Sequence, residues 1–409
     1  MNIVIVGLGY VGLPLAIKFA KYFSVIGYDI NKQRVEELQK GIDINADATK
    51  KEFQEVSKNI SFTTDPAQIS NVDVIIISVP TPLKPNNDPD LSYLEDASKT
   101  VGKHMRKGVL VVYESTVYPG CTEEFCLPIL EKESKMKLGN FYLGYSPERM
   151  NPGDKEHTVD KITKLISASH SEALKTMQDI YSKITKVHQM SCIRAAEAAK
   201  IIENVQRDVN LALFNELSML FDKLGLDSEE VFSGAATKWN FIKFKPGLVG
   251  GYCIPVNPHY LAYKAAQIDF HPELVLAGRK TNETMPIFIA KKAVQLAGKK
   301  ANIIVLGASY KENVAELRSS RVKNLIEALK KEGANSISIY DPIVKDKNIF
   351  GLKNEKNGIF DLVIYAVSHD TFNNLPIGSL LKAQGYIIDI PRKLDSTALE
   401  KQGFRYWAP

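Results

Sequence analysis

The stretch NIVIVGLGYVGLPLAIKFAKYFSVIGYDI, residues 2–30, decides the fold of this chain. It begins with an apolar run at residues 3–6, passes through three glycines and continues with apolar residues at helical spacing. It then enters a second apolar run at residues 25–28, which ends on Asp29. Strand, glycine-rich turn, helix and strand in this order are typical of a βαβ unit. We therefore expect a parallel sheet whose first turn faces a ligand.

The three glycines have the spacing GxGxxG. Gly7 suits a tight turn, Gly9 lets backbone N–H groups approach a pyrophosphate, and Gly12 allows the helix to pack closely on the strand. Asp29 stands where a carboxylate accepts hydrogen bonds from a ribose 2′-hydroxyl and repels a 2′-phosphate. The pattern predicts NAD rather than NADP as the cofactor. A flavin site or a Rossmann domain without nucleotide is the alternative.

The same alternation continues along the first half of the chain. Apolar runs lie at residues 72–79, 109–113 and 141–145, and helical stretches lie at residues 93–105 and 126–133. Continuous apolar strands separated by helices indicate a parallel sheet covered on both faces.

Hydroxyl side chains follow two of these strands. Thr81 stands after the run at 72–79, and Ser115 with Thr116 stand after the run at 109–113. The carboxyl ends of the strands are where ligands bind in such sheets, so these hydroxyls are candidate contacts. Turn or N-cap chemistry is an equally good interpretation.

Residues 191–223 contain neither Gly nor Pro and predict one unusually long helix. Lys200, Asn204 and Arg207 share one of its faces because their spacings are four and three. This face either lines a site for an anionic ligand or is an ordinary solvated stripe. A helix of this kind joins domains or forms a dimer interface, and we expect a homodimer rather than a monomer.

A block beginning near Lys300 repeats the opening topology of strand, glycine, helix, strand and terminal acid. Gly307 and Asp341 are kept, whereas Lys311 and Arg318 stand where bare backbone held the phosphates in the first block. Further strands are expected at residues 362–367 and 386–390. This block predicts a second nucleotide-type domain for a different ligand.

Composition excludes several classes of protein. A net charge of +5 without a long basic run gives nucleic-acid binding little support. The strand-like start at Asn2 leaves no room for a signal peptide and no apolar stretch is long enough for a membrane helix, so we expect a cytoplasmic protein. Cys121, Cys126 and Cys192 are expected to be small buried thiols, and no metal is expected from the cysteine and histidine spacings.

Cys253 is the exception, because it lies in the stretch GGYCIPVNPHYL, residues 250–261, behind two glycines. Glycines allow the backbone to approach a substrate, and a thiolate there can add to an aldehyde. Together with a hydride acceptor this predicts oxidation of an alcohol through a thiohemiacetal and a thioester to an acid. The alternative is a one-step dehydrogenase in which Cys253 is structural.

Ordered motifs over essentially the whole chain resemble the UDP-glucose and GDP-mannose dehydrogenase family. They are GLGYVGLPLA, VPTP, ESTVYPG, YSPERMNPGDKEH, AEAAKIIENVQRDVN, KWNFIKFKPGLVGGYCIPVNPHYL, LAGRKTN and YKENVAELRSS. Within the family they are most similar to the UDP-N-acetylhexosamine branch of the Vi polysaccharide type. The resemblance implies an α/β fold of two Rossmann-like doubly wound domains joined by a long central helix. The expected domains are residues 1–190 for NAD, 191–295 for dimerisation and the cysteine loop, and 296–409 for the UDP-sugar.

The resemblance also assigns roles to residues of this sequence. Catalytic roles fall to the nucleophile Cys253, to Lys200 and Asn204 at the oxyanion, to Glu148 in thioester hydrolysis, to Thr116 at the water, and to Asn257. Cofactor contacts are implied for Gly7, Gly9, Val11, Gly12, Asp29, Arg34, Thr81, Thr116 and Arg318. Substrate contacts are implied for Arg149, Met150, Lys200, Asn204, Arg207, Gly250, Arg279 and Lys311. The implied activity is four-electron oxidation of C6 of a UDP-N-acetylhexosamine for surface polysaccharide synthesis.

Two residues depart from the family pattern, which reads GGHCIxxDP. This chain has Tyr252 for the histidine and Asn257 for the aspartate. An amide cannot take a proton, so the hydrolytic step is in question at Asn257. The alternatives are oxidation of UDP-glucose, UDP-N-acetylmannosamine or GDP-mannose, and a catalytically impaired sugar-nucleotide-binding regulator.

Overall fold

The computed structural model describes residues 1–45, 48–149 and 159–409. The chain divides into two compact units, and each is built from two segments. Unit 1 comprises Met1–Glu203 and His259–Phe270, and unit 2 comprises Asn204–Pro258 and His271–Pro409. Met150 and the residues after it up to 158 lie outside the described residues, so the predicted substrate contact of Met150 has no structural description.

Unit 1 contains eight strands in its described residues. They are β1 Asn2–Val6, β2 Ser24–Tyr28, β3 Ile60–Thr63, β4 Val74–Ile77, β5 Leu110–Tyr113, β6 Tyr142–Tyr145, β7 Lys164–Ala168 and β8 Val187–Gln189. Its helices are α1 Gly12–Ala20, α2 Lys32–Gln39, α3 Lys50–Val56, α4 Ser92–His104, α5 Leu127–Ser134 and α6 Ser171–Tyr181. A π-helical turn, Thr122–Cys126, leads into α5.

The strands of unit 1 form one sheet in the order β3-β2-β1-β4-β5-β6-β7-β8. The expected parallel pairing is confirmed from β3 to β6, whereas β7 runs antiparallel to β6. Strand order reverses between β1 and β4, and the crevice at such a switch point is where doubly wound sheets bind ligands. The turns after β1, β4 and β5 meet at this edge.

The expected cover on both faces of the unit 1 sheet is also found. Alternate residues of the central strands, such as Ile3 and Ile5, pack with α1, α3 and α6 in one apolar cluster. Strands β4 and β5 are buried along their whole length. Burial on both faces explains why these strands appear in the sequence as unbroken apolar runs.

The helix α7 Ile193–Leu224 confirms the prediction of one long helix, and the division between the units falls within it. Two short helices follow, α8 Ser228–Ala235 and α9 Asn257–Ala266, and then the long α10 Glu273–Ala297.

Unit 2 contains the second sheet. Its strands and helices are β9 Asn302–Leu306, α11 Arg321–Lys331, β10 Ser336–Tyr340, β11 Asn348–Ile349, β12 Leu352–Lys353, β13 Phe360–Tyr365, β14 Leu381–Asp389, α12 Ser396–Lys401 and β15 Arg405–Trp407. The parallel sheet has the order β10-β9-β13-β14-β15, with its switch point between β9 and β13. Apolar clusters cover both faces of it, as the repeated topology predicts.

Two further observations concern residues outside the sheets. Cys121 and Cys126 are buried free thiols, as expected, but Cys192 is exposed. The buried prediction for Cys192 is wrong because it precedes the first turn of α7, where the chain is still on the surface. Among the described residues, no helix has both the length and the apolar character to cross a membrane.

Candidate active site

The turn after β1 has the geometry that its glycines predict. Gly7 has φ +94°, and a Cβ there would lie 2.4 Å from the carbonyl oxygen of Ser78. A Cβ on Gly12 would lie 1.9 Å from the carbonyl oxygen of Gly7, so the start of α1 can approach β1 only without a side chain. Around Gly9, by contrast, there is open space. Gly7 and Gly12 therefore shape the turn, and Gly9 leaves the backbone accessible to a ligand.

Asp29 lies half-exposed at the carboxyl end of β2. Its carboxylate accepts hydrogen bonds from the backbone N–H groups of Leu8 and Asn31, each at 2.8 Å. Val11 is the N-cap residue of α1, and no side chain caps the helix there. The uncapped N–H groups and the fixed carboxylate are the two features a dinucleotide needs, for its pyrophosphate and its ribose.

Arg34 on α2 borders the same turn. Its Nε donates to the carbonyl oxygen of Leu8 at 3.1 Å, and its Nη1 pairs with Asp43 at 2.6 Å. Its Nη2 is buried and has no hydrogen-bond partner among the described residues. A buried donor without an acceptor is destabilising, so this nitrogen fits a site that a ligand completes.

Thr81 and Thr116 are brought together at the carboxyl ends of β4 and β5. The Thr81 hydroxyl donates to the carbonyl oxygen of Thr116 at 2.8 Å. Ser115 reinforces this edge, since its hydroxyl exchanges hydrogen bonds with the backbone of Val79 at 2.7 and 3.0 Å. Tyr260, on the second segment of unit 1, donates to the carbonyl oxygen of Thr81 at 2.9 Å. The hydroxyls of Thr81 and Ser115 thus have structural hydrogen bonds at this edge of the sheet, and the ligand contacts of Thr81 and Thr116 stay a prediction.

Glu148 lies in a buried charge network that the sequence did not indicate. The Lys164 ammonium forms a very short ion pair with Glu114 and lies 3.9 Å from the Glu148 carboxylate. Tyr181 donates to the other oxygen of Glu114 at 2.6 Å. Burial raises the pKa of Glu114, and the neighbouring Lys164 opposes that rise. Glu148 and Glu114 stand in the motifs YSPERMNPGDKEH and ESTVYPG, but Lys164 and Tyr181 belong to none of the quoted motifs.

Lys200 is buried on α7, and no hydrogen bond or ion pair holds its ammonium among the described residues. One turn earlier, Glu197 accepts hydrogen bonds from the N–H groups of Gly120 and Thr122 at 2.5 and 2.9 Å. Burial raises the pKa of Glu197 to about 7. An ammonium on a largely buried side chain, without a partner among the described residues, is well suited to meet negative charge on a substrate.

The remaining predicted side chain of unit 1 is Arg149. Its guanidinium donates to the carbonyl oxygen of Thr163 at 2.6 Å and pairs with Glu203 at 2.7 Å. Arg149 is thus held in place by the protein itself.

In unit 2, Asn204, Asn257 and Cys253 are brought together. The Asn204 amide donates to Oδ1 of Asn257 at 2.9 Å, and both side chains are buried. The backbone N–H of Asn257 donates to the carbonyl oxygen of Cys253 at 3.0 Å where α9 begins. Cys253 itself is half-buried. The amide pair therefore joins α7 to the turn that carries the thiol.

The two glycines before Cys253 have a structural role. A Cβ on Gly250 would lie 2.9 Å from the carbonyl oxygen of Ser319. Gly251 has φ +94°, and a Cβ there would lie 3.0 Å from the ring of Tyr310. The structure thus explains both glycines by close packing within unit 2, against the backbone of Ser319 and the ring of Tyr310.

The ring of Tyr252 contacts another aromatic ring and a guanidinium group. Its ring meets that of Tyr310 edge-on at 6.5 Å, and the guanidinium of Arg318 lies over it at 5.4 Å. Arg318 also pairs with Glu316 at 2.6 Å and is otherwise largely exposed. Burial raises the pKa of Tyr252 to about 12, so its hydroxyl is protonated at neutral pH.

A cavity of about 210 Å³ lies at the carboxyl ends of β9, β13 and β14. Its lining includes Gly250 and Lys311 from the predicted substrate set, and also two basic residues that the sequence did not single out, Lys245 and Arg321. Such a cluster at a switch point is suited to a diphosphate. The sequence did offer a clue to Arg321, because it is the first residue of α11, the helix that follows the glycine turn of the repeated topology.

Two predicted substrate residues lie elsewhere in unit 2. Arg207 is exposed on α7. Arg279 is buried, and its guanidinium pairs with Asp208 at 2.5 Å and with Glu283 at 3.3 Å. Its Nε has no hydrogen-bond partner among the described residues.

Comparison with known proteins gives matches over nearly the whole chain. Models of the UDP-glucose/GDP-mannose dehydrogenase family match in three parts: its NAD binding domain at residues 1–185, its central domain at 194–284 and its UDP binding domain at 304–396.

Individual relatives agree with these matches. Protein CapL of Staphylococcus aureus is 45% identical, and the UDP-N-acetyl-D-glucosamine 6-dehydrogenase of Pseudomonas aeruginosa is 42% identical; in both comparisons 97% of each chain is covered. The solved UDP-D-ManNAc dehydrogenase of Pyrococcus horikoshii superposes with a TM-score of 0.88 at 29% identity, over 100% of this chain and 99% of that one.

Proposed function

Because this chain belongs to the UDP-glucose/GDP-mannose dehydrogenase family and is an NAD-dependent nucleotide-sugar dehydrogenase, we propose that it oxidises C6 of a UDP-N-acetylhexosamine to the uronic acid. The proposed substrate is UDP-N-acetylglucosamine, the sugar in the name of the Pseudomonas aeruginosa relative, or UDP-N-acetylgalactosamine. One observation carries the proposal: the backbone that lines the basic cavity, residues 245–250, leads within three residues to Cys253. In this proposal the cavity holds the nucleotide and Cys253 is the nucleophile of the same unit.

The basic residues of the cavity bind the substrate's diphosphate in this proposal. Arg321 and Lys311 lie at the turn after β9, and Lys245 lies on the segment that leads to the cysteine. Guanidinium and ammonium groups give charge-assisted hydrogen bonds to phosphate oxygens. The sugar then lies toward Cys253.

The residues of unit 1 fit the cofactor. Gly7, Gly9, Val11 and Gly12 would accommodate the pyrophosphate, and Asp29 with Arg34 would hold the adenosine ribose, while Thr81 and Thr116 border the crevice. When bound, NAD supplies a hydride acceptor for each of the two oxidations. Arg318 of unit 2 is proposed as a further cofactor contact.

Cys253 carries the substrate between the two oxidations. The C6 alcohol first loses a hydride and a proton and becomes an aldehyde. The Cys253 thiolate adds to its carbonyl carbon, which gives a thiohemiacetal, and loss of a second hydride and the hydroxyl proton leaves a thioester. Water then attacks the thioester, the thiolate leaves, and the sugar is released as a carboxylate.

Other residues stabilise charge and move protons. Lys200 and Asn204 hold the oxyanion that forms when the thiolate or water attacks. Glu148 takes a proton from the attacking water as general base, and Thr116 orders that water. Arg149, Met150, Arg207 and Arg279 complete the substrate contacts. We also propose that the enzyme is a cytoplasmic homodimer that serves surface polysaccharide synthesis.

A second candidate function is favoured by Asn257. Its amide accepts a hydrogen bond from Asn204 but cannot take a proton, so the thioester could persist. The protein would then be a sugar-nucleotide-binding regulator rather than an enzyme with sustained turnover.

The test is NADH formation from purified protein with a panel of UDP-N-acetylglucosamine, UDP-N-acetylgalactosamine, UDP-N-acetylmannosamine, UDP-glucose and GDP-mannose. We expect about two NADH per sugar oxidised, with one of the first two substrates preferred. Preference for another sugar would contradict the proposed substrate. A burst of about two NADH per enzyme that then stops would support the regulator, because both hydrides leave before the thioester is hydrolysed. Cys253→Ala is expected to form no acid.

A further inference from the structure

Three polar side chains on one face of α7 are buried in unit 2. They are Asn204, Asp208 and Asn215, with exposed fractions of 9%, 0% and 0%. Spacings of four and seven residues place them on the same side of the helix. Buried polar groups are destabilising unless they form hydrogen bonds, so the partners of these side chains explain their position.

Each of the three bonds a different part of unit 2. The first two bond the predicted site residues Asn257 and Arg279, respectively. Asn215, which the sequence did not single out, instead bonds Gly247. Gly247 belongs to the cavity-lining segment, residues 245–250. This face of α7 therefore contacts the basic cavity through Asn215.

The Asn215 amide pairs with both backbone groups of Gly247. The N–H of Gly247 donates to Oδ1 of Asn215 at 2.7 Å, and Nδ2 of Asn215 donates to the carbonyl oxygen of Gly247 at 3.1 Å. The same Nδ2 also donates to Oδ1 of Asn282 at 2.8 Å, and Asn282 in turn donates to Asp208. A backbone N–H can only donate and a carbonyl oxygen can only accept, so these bonds fix the orientation of the amide.

The cavity-lining segment depends on such contacts because it contains no helix or strand. Two residues beyond Gly247, the carbonyl oxygen of Val249 accepts a hydrogen bond from Nε of Arg321 at 3.2 Å. The segment is thus attached to the start of α11 at one residue and to α7 at another. Hydrogen bonds from two helices give an irregular segment one conformation.

We propose that Asn215 is a positioning residue that holds the cavity-lining segment in the conformation that binds the UDP part of the substrate. The proposal rests on the proposed function, in which this cavity holds the nucleotide. Asn215 acts through Gly247 and does not itself touch the substrate. Without the amide, both backbone groups of Gly247 lose their partners, and the segment rearranges to expose them to water.

Two substitutions of Asn215 are expected to have graded effects. Asn215→Ala removes both bonds to Gly247, so the Kd for UDP and the KM for the UDP-sugar rise about tenfold, with a smaller fall in kcat. Asn215→Ser replaces the two amide atoms by a single hydroxyl oxygen, which cannot meet both groups of Gly247 in the same way, so its effect is intermediate. The serine variant also leaves a smaller unpaired surface and decides the question if the alanine variant does not fold.

The matched control is Asn210→Ala on the same helix. The Asn210 amide donates to the carbonyl oxygen of Gln206, one turn earlier in α7, at 2.7 Å. Its removal takes away an asparagine hydrogen bond of α7 without a contact to the cavity-lining segment. The Kd for UDP is expected to stay at the wild-type value.

The experiment measures the Kd for UDP by isothermal titration calorimetry, and KM and kcat for the UDP-sugar, in wild type and the three variants. A second readout is hydrogen–deuterium exchange of peptides that cover residues 245–250 and α7. A higher Kd in Asn215→Ala with faster exchange confined to the cavity-lining segment supports the inference. An unchanged Kd overturns it, and so does a higher Kd with equally faster exchange along α7, because Asn215 then merely stabilises the helix.

Binding and turnover separate this inference from the proposed function. If wild type binds UDP but forms no acid, and Asn215→Ala weakens the binding, the role of Asn215 holds and the proposed oxidation fails. If wild type turns over and neither Kd nor KM changes in Asn215→Ala, the function holds and the role of Asn215 is overturned. Absence of UDP binding in wild type overturns the inference whatever the turnover.

Discussion

Asn257 is the residue on which the proposed hydrolytic step is expected to depend most. It is buried and bonded to Asn204, which fixes its amide with Oδ1 toward α7. A carboxylate in its place would keep that hydrogen bond, since Asn204 is the donor, and would add an acceptor for a proton.

Asn257→Asp is therefore expected to speed thioester hydrolysis and raise kcat about tenfold. Steady-state NADH formation under saturating substrate measures the change. Asn257→Ala is the control: it removes the bond to Asn204 without adding a base, and kcat falls. An unchanged kcat in Asn257→Asp would mean that Asn257 does not limit the reaction.

Gly251 sets the backbone two residues before Cys253, the proposed nucleophile. An alanine there would have to keep φ +94° with its Cβ 3.0 Å from Tyr310. We expect Gly251→Ala to lower the free energy of unfolding by ~1–3 kcal/mol and to reduce kcat, because the Cys253 turn must shift. Urea unfolding measures the first effect.

The matched control for Gly251→Ala is Gly234→Ala. Gly234 lies within α8 with open space around it, so alanine is expected to stabilise the protein by ~0.5–1 kcal/mol. Equal effects of both substitutions would refute the strain at Gly251.

At the scale of elements, the turn after β9 is held by a buried acid and histidine. Asp341 accepts hydrogen bonds from the N–H groups of Ala308 and Ser309 at 2.7 and 3.2 Å, and from His369 at 3.0 Å. The backbone N–H of Asn313 donates to Nδ1 of His369, so Nε2 carries the proton. Asp341, the acid after the second strand of the unit 2 sheet, is thus buried, whereas Asp29, the corresponding acid of unit 1, remains half-exposed.

The hydrogen bonds of Asp341 predict that the stability of the protein depends on pH. Burial opposes ionisation of Asp341, but the His369 hydrogen bond and the N–H of Ala308 outweigh it and lower the pKa to about 2. The folding stability that ionised Asp341 contributes is therefore present above its unfolded pKa of 3.8 and is lost as pH falls toward about 2. In Asp341→Asn, Tm should therefore fall less steeply than in wild type as the pH is lowered from 3.8 toward about 2. If Tm depends on pH in the same way in both proteins, Asp341 does not stabilise the turn as described.

His369→Ala should loosen the turn that carries Lys311 toward the cavity. We expect a higher KM for the UDP-sugar with a smaller change in kcat, and a loss of ~1–3 kcal/mol of stability from the unpaired carboxylate. Initial rates against substrate concentration separate the two constants. A fall in kcat at unchanged KM would show that the turn does not hold the substrate.

For the whole molecule, the sequence predicted those features that follow local periodicity. The βαβ unit around Gly7, the long helix α7 and the repeated topology around Gly307 were all confirmed. The strands β7 and β8 were missed because they stand after the last apolar run recognised in the first half of the chain, and β8 has only three residues.

The contacts between distant residues could not be predicted. Glu114 and Lys164 are 50 residues apart, and Asn204 and Asn257 are 53 apart. Such pairs depend on the register between segments, which a single sequence does not contain. Cys192 was misjudged for the same reason, since composition gives the average burial of a cysteine and not its position in the fold.

The central claim is that the second oxidation takes place while the substrate is bound to Cys253, and an acid quench during turnover tests it most directly. Digestion and mass spectrometry of the peptide that contains Cys253 should show a uronyl thioester of the UDP-sugar, and the adduct should accumulate further in Glu148→Gln. If Cys253→Ala still gives about two NADH per sugar and no adduct forms in wild type, the sulfur does not take part and the account is wrong.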